Sequence, residues 1–160
     1  MLILFKRASC GGLLDKLIAF FSHSRYAHTE ITFDNYTTET FSSDISDGVR
    51  FIDKGGTNFW AYDIIQVDLS QESKELWIDA IRWARSQLGK KYDFAGALGF
   101  VFPWVKDDTN DWFCSEICTA ILVFLKVLPK MSCKILPGGL ATHLSNSGYR
   151  WIVRNGRKCG

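Results

Sequence analysis

The stretch YAHTEITFDNYTTETF, residues 26–41, decides the fold. Residues 26–33 alternate, with His28, Glu30 and Thr32 facing one way. Asp34–Asn35 is a turn signal, and strand formers flank Glu39 in YTTETF (36–41). Together they predict a β-hairpin.

Working outward, LILF (2–5) reads as a short buried strand that CGG (10–12) breaks. LLDKLIAFF (13–21) has apolar residues at helical spacing, and GVRFI (48–52) and YDIIQVDL (62–69) are further strands. Ser70 is a good N-cap for a helix carrying Trp77, Ala80, Ile81, Ala84 and Leu88 on one stripe, ended by Gly89. An uncharged stretch, FAGALGFVFPWV (94–105), and a polar loop (106–111) precede a helix from about 113 to 126. LPGGLATHL (136–144) suggests a turn and a short helix, and YRWIV (149–153) a last strand. The pattern is α+β, an antiparallel sheet with helices against it, in a single domain over 1–160.

Composition narrows the function. A chain of 160 residues fits one core, and a net charge of +2 with scattered charges implies no nucleic-acid partner. Five cysteines without a disulfide-like rhythm, and a start lacking the apolar core of a signal peptide, predict a cytoplasmic protein with reduced thiols. The stretch 94–105 is too short to span a bilayer and holds a proline, so it reads as a buried wall and no transmembrane segment is expected.

Chemistry centres on WFCSEICT (112–119). Cys114 falls at the expected helix N-terminus, where unpaired N–H groups and the helix dipole favour a thiolate and bind an oxyanion. A cysteine in an apolar helix is more often packing, which is the reading for Cys118. The base expected is His28. A two-residue turn at 34–35 pairs Phe33 with Tyr36, so Glu30 faces Glu39 and His28 faces Phe41. Glu39 is then one diagonal from His28, within reach to orient the imidazole. His23 and His143 have no acidic neighbour in a comparable register. Cys114 and Cys118 share a helix face, but further ligands at metal-site spacing are missing.

Together, YAHTEITF with YTTETF, GKKYDFAG (89–96) and WFCSEI resemble the permuted papain-like cysteine hydrolases of the NlpC superfamily, in the YiiX/YaeF-like branch. Short phage and prophage proteins are similar over about 13–144. The resemblance implies a circularly permuted papain-like fold, a barrel-like antiparallel sheet with the cysteine helix packed on it. It implies a Cys114–His28–Glu39 triad without metal or cofactor, cleaving an amide or ester. The substrate implied is a peptide or peptidoglycan fragment, or an acyl lipid as in the lecithin:retinol acyltransferase-like relatives. A non-catalytic module keeping the fold is the rival. The family pattern often has glycine where this chain has Glu30, which makes Glu30 an alternative third member or a substrate contact. Ser42 and Ser43 are a further fallback.

Overall fold

Alternating stretches become strands wherever one face can be buried, and the apolar helix at 114–124 supplies the cover. The computed structural model describes residues 1–33, 39–53, 59–99 and 110–154. The expected turn at Asp34–Asn35, the end of the apolar stretch and most of the polar loop lie outside them.

Among the described residues there are six strands: β1 (Leu2–Arg7), β2 (Tyr26–Thr32), β3 (Glu39–Asp44), β4 (Gly48–Asp53), β5 (Tyr62–Gln66) and β6 (Arg150–Val153). They form one antiparallel sheet in the order β4-β3-β2-β1-β5-β6. The α+β expectation holds. The barrel-like sheet does not, because among the described residues no pairing joins β4 to β6 and the sheet is open.

Six α-helices accompany it among the described residues: α1 (Leu13–Phe21), α2 (Gln71–Glu75), α3 (Trp77–Ser86), α4 (Phe94–Gly99), α5 (Cys114–Phe124) and α6 (Pro137–Asn146). The Ser70 hydroxyl accepts the Ser73 N–H at 3.1 Å, as an N-cap should. The single helix expected beyond it is broken at Leu76, and α3 ends at Ser86. Leu88 therefore falls off the buried stripe and is exposed. Helix α5 lies on the sheet face that carries Ile31 and Phe41, and its Ile117, Cys118, Ile121 and Leu122 are fully buried there. No helix among the described residues is long and apolar enough to cross a membrane.

The hairpin register differs from the expectation. Ile31, not His28, lies opposite Phe41, a slip of three positions. An odd slip turns β3 over, so Glu39 moves to the face away from His28. Packing explains the outcome. Phe41 is fully buried on the core face beside Phe33 and Phe51, with ring centroids 6.0 and 4.8 Å away. The two-residue turn would have placed that ring among His28 and Glu30. Burying a phenylalanine contributes about 1.5–3 kcal/mol, more than a tight turn's preference.

Between β3 and β4 the chain turns at Gly48, whose φ is +68°. A β-carbon there would lie 2.1 Å from the Lys90 carbonyl oxygen, so only glycine fits. That approach lets Val49 N–H donate to Lys90 O (2.8 Å) and Gly89 N–H to Val49 O (3.2 Å), holding the 89–93 segment to β4.

Cys10 is disulfide-bonded, while Cys114, Cys118 and Cys133 are free thiols. This corrects the expectation of uniformly reduced cysteines: their spacing does not show which sulfurs the fold brings within bonding distance.

Candidate active site

The nucleophile's position is set before α5 begins. Lys91 O accepts the Trp112 N–H (3.3 Å), Asp93 N–H donates to Trp112 O (3.1 Å), and Trp112 Nε1 donates to Gln87 Oε1 (3.1 Å). Phe113 is the extended N-cap residue and Cys114 the first of the helix. The sulfur thus sits at the positive end of an 11-residue helix whose first N–H groups have no helical partner. Ser115 donates to Ile135 O (2.5 Å) and Thr119 to Ser115 O (2.6 Å), fixing the first turns.

His28 on β2 lies close enough to the Cys114 sulfur for the two to interact electrostatically. Glu30, two residues along the same strand, places Oε1 3.4 Å from His28 Nε2. The Tyr62 hydroxyl donates to that oxygen at 2.8 Å. Strand pairing explains the cluster: Lys6 of β1 lies opposite both His28 and Tyr62, while Leu4 lies opposite Glu30. Burial works against a charged imidazole. Interactions with Cys114 and then with Glu30 more than offset it, and His28 is pushed up to about 10. Its protonated form therefore stabilises the fold, a contribution complete below the ordinary value near 6.5 and lost as pH rises through about 10.

The structure brings Cys114, His28 and Glu30 together and leaves Glu39 out. Glu39 is exposed at the far end of β3, opposite Asp53. Ser42 spends its hydroxyl on Thr29 O at 2.6 Å. Asp44 is the β3 acid that feels the charge of His28. Burial opposes its ionisation, but the Ser46 N–H and hydroxyl, His28 and Arg50 hold it down at about 2. Cys118 is fully buried with its thiol donating to Thr29 O at 3.6 Å, and burial pushes its pKa well up, in keeping with packing. His23 and His143 line a separate cleft. Among the described residues no group of three or more His, Cys, Asp or Glu could hold a metal ion.

Two cavities meet at this cluster. One, of about 110 Å³, is almost wholly apolar, runs between α1 and the start of α6, and has Cys114 in its wall with Leu14, Leu17, Phe21 and Phe113. The other, about 180 Å³, is polar and is lined by His28, Lys6, Asp15 and Asp44. Ala27, Ile45 and Tyr92 belong to both. A larger cleft of about 390 Å³ over Gly48 and Lys91 contains neither Cys114 nor His28. Burial, and next the interaction with Cys114, raise the Tyr92 pKa, so the phenol keeps its proton and remains a donor in the cavity wall it shares with Cys114. Tyr92 was visible within GKKYDFAG without an assigned role. Tyr62 carried no local signal, because it reaches the site only through the β2-β1-β5 strand order.

No protein-family model matches this chain, and no curated protein is significantly similar to it. The site is therefore read from its own geometry.

Glu116 adds a pH-sensitive element at the same helix turn. Burial pushes its carboxyl up to about 7; the Phe113 N–H it accepts opposes this and Asp93 adds to it. Its Oε2 and Asp93 Oδ2 are buried without a hydrogen-bond partner among the described residues. The folded state holds this proton more tightly than the unfolded one. The cost is absent below the ordinary value near 4.5, grows as pH rises, and is complete above about 7. Glu116→Gln keeps an acceptor for Phe113 N–H and removes the charge. It is expected to melt higher than wild type at pH 8 and equally at pH 4.5, as thermal unfolding at the two pH values would reveal.

Proposed function

We propose that this chain is a cysteine hydrolase of ester or amide bonds on a circularly permuted papain-like fold, with the base ahead of the nucleophile in sequence. The observation that carries the reading is the gathering of four groups: Cys114 acts on the charge of His28, Glu30 lies 3.4 Å from the His28 ring, and the Tyr62 hydroxyl is bonded to Glu30. In this mechanism the Cys114 thiolate forms a C–S bond to the carbonyl carbon while His28 carries the thiol proton. The oxyanion is held by N–H groups at the start of α5 and by the Tyr92 hydroxyl. Collapse breaks the C–O or C–N bond, and the imidazolium gives its proton to the leaving alcohol or amine. A water then attacks the thioester, passing its proton to His28, and the carboxylic acid leaves as the thiol re-forms. Glu30 is the positioning residue that holds the imidazole, in the place expected for Glu39.

The apolar cavity favours an acyl ester over the peptide or peptidoglycan fragment that the resemblance also implies. Its 110 Å³ is well below the roughly 300–1,000 Å³ of pockets for bulky ligands. It suits a linear hydrocarbon segment, with the polar cavity beside His28 left for the leaving group or water. The test is intact-mass analysis after incubation with acyl thioesters of increasing chain length and with a peptidoglycan stem peptide. The expected result is an acyl adduct on Cys114 that forms faster with a medium chain than with acetyl. Cleavage of the stem peptide without any acyl adduct would restore the peptide reading. Neither product would end the hydrolase proposal.

A further inference from the structure

Helix α1 is the least explained element of the fold. Soluble helices hide their apolar stripe, yet this nine-residue helix leaves Leu13 (76 % exposed), Phe20 (71 %), Phe21 (47 %), Leu17 (43 %) and Leu14 (38 %) open to solvent. The exposure is one-sided in chemistry as well as position. The acid of the helix, Asp15, is engaged by Lys6 Nζ (3.1 Å) and Gly12 N–H (2.9 Å), while Lys16 is exposed among the apolar side chains. Leu14, Leu17 and Phe21 are also walls of the apolar cavity that ends at Cys114. The exposed surface and the route to the sulfur are therefore continuous.

We propose that α1 seats this protein on a lipid surface, so that an acyl chain passes from the bilayer between Leu14, Leu17 and Phe21 to Cys114. The direction of that passage rests on the acyl-ester reading above; the docking itself does not. A short apolar helix with an outward lysine is suited to lie in the headgroup boundary, and Lys16 favours anionic lipid. Continuity with the cavity argues against the other occupants. A second copy, or a protein partner, seated on these residues would cover the cavity mouth and shut the nucleophile in. A bilayer covers the same residues and supplies the hydrocarbon.

The experiment is co-sedimentation of the whole chain with phosphatidylcholine vesicles, alone or mixed with phosphatidylglycerol. Leu13 and Phe20 stand outside the cavity lining, so the double variant Leu13→Gln, Phe20→Gln tests docking without touching the site. Wild type is expected to bind both vesicles, and more tightly the anionic ones. The double variant should lose about tenfold or more in partitioning. Its turnover of a water-soluble short-chain ester should match wild type. Lys16→Glu should lose only the anionic preference. Unchanged partitioning of the double variant, or no vesicle binding by wild type, overturns the proposal. So does a wild-type dimer, broken by the double variant, that does not bind vesicles. Vesicle binding with no turnover of the soluble ester would sink the hydrolase reading and leave the docking standing.

Discussion

Cys114→Ala is expected to lower acyl-ester turnover by at least about 10³-fold, because no other group can take over the covalent step. Iodoacetamide labelling gives a second readout. In wild type, Cys114 should be alkylated through the apolar cavity, while Cys118 stays unmodified until the protein unfolds, being fully buried with its pKa raised. His28→Ala should slow the Cys114 reaction by removing its proton acceptor, with little change in the circular dichroism. Equal labelling of Cys114 and Cys118 in the folded state, or full turnover in Cys114→Ala, would remove Cys114 from the mechanism.

Glu30→Gln is expected to cost about 10²–10⁴-fold in kcat with a small change in KM, whereas Glu39→Gln should be silent. Glutamine preserves the shape and can still accept the Tyr62 hydroxyl, so the comparison isolates the charge beside His28. The pH profile separates a positioning role from a merely structural one. Glu30 raises the His28 pKa, and leaving-group protonation needs the imidazolium. Wild-type turnover should fall as pH passes about 10, and the alkaline limb should move to lower pH in Glu30→Gln. An unmoved limb, or a loss in Glu39→Gln as large as in Glu30→Gln, would return the orienting role to the sequence-based assignment.

These two variants also mark where the sequence could be read and where it could not. The N-terminus of α5 was legible, since an aromatic pair, a small polar residue and an apolar run leave little choice about where the helix begins. The His28 strand was legible through its alternation. Its partner was not. Choosing between Glu30 and Glu39 required the hairpin register, and local turn chemistry misplaced that register by three positions. What settled it is burial of Phe41 against Phe33, just beyond β2, and Phe51 of β4, a nonlocal packing term that no window of the sequence contains. Tyr62 was hidden for a related reason. Strand β1, first in the chain, sits between β2 and β5, and only that order carries residue 62 to residue 30. The open edges of the sheet were equally unreadable, because alternation reports which face of a strand is buried and says nothing about closure.

The tight approach at Gly48 has a consequence for how such a site can be tuned. The backbone it clasps, residues 89–93, carries Tyr92 to the sulfur and Asp93 to the turn that launches α5. A position that lines neither the cavity at Cys114 nor the one at His28 is thereby a mechanical input to the placing of the Tyr92 phenol. Change at the β3–β4 corner would travel through one shared carbonyl, that of Lys90, and emerge as a shifted Tyr92 phenol, while Cys114 and His28 stay where the helix and sheet put them.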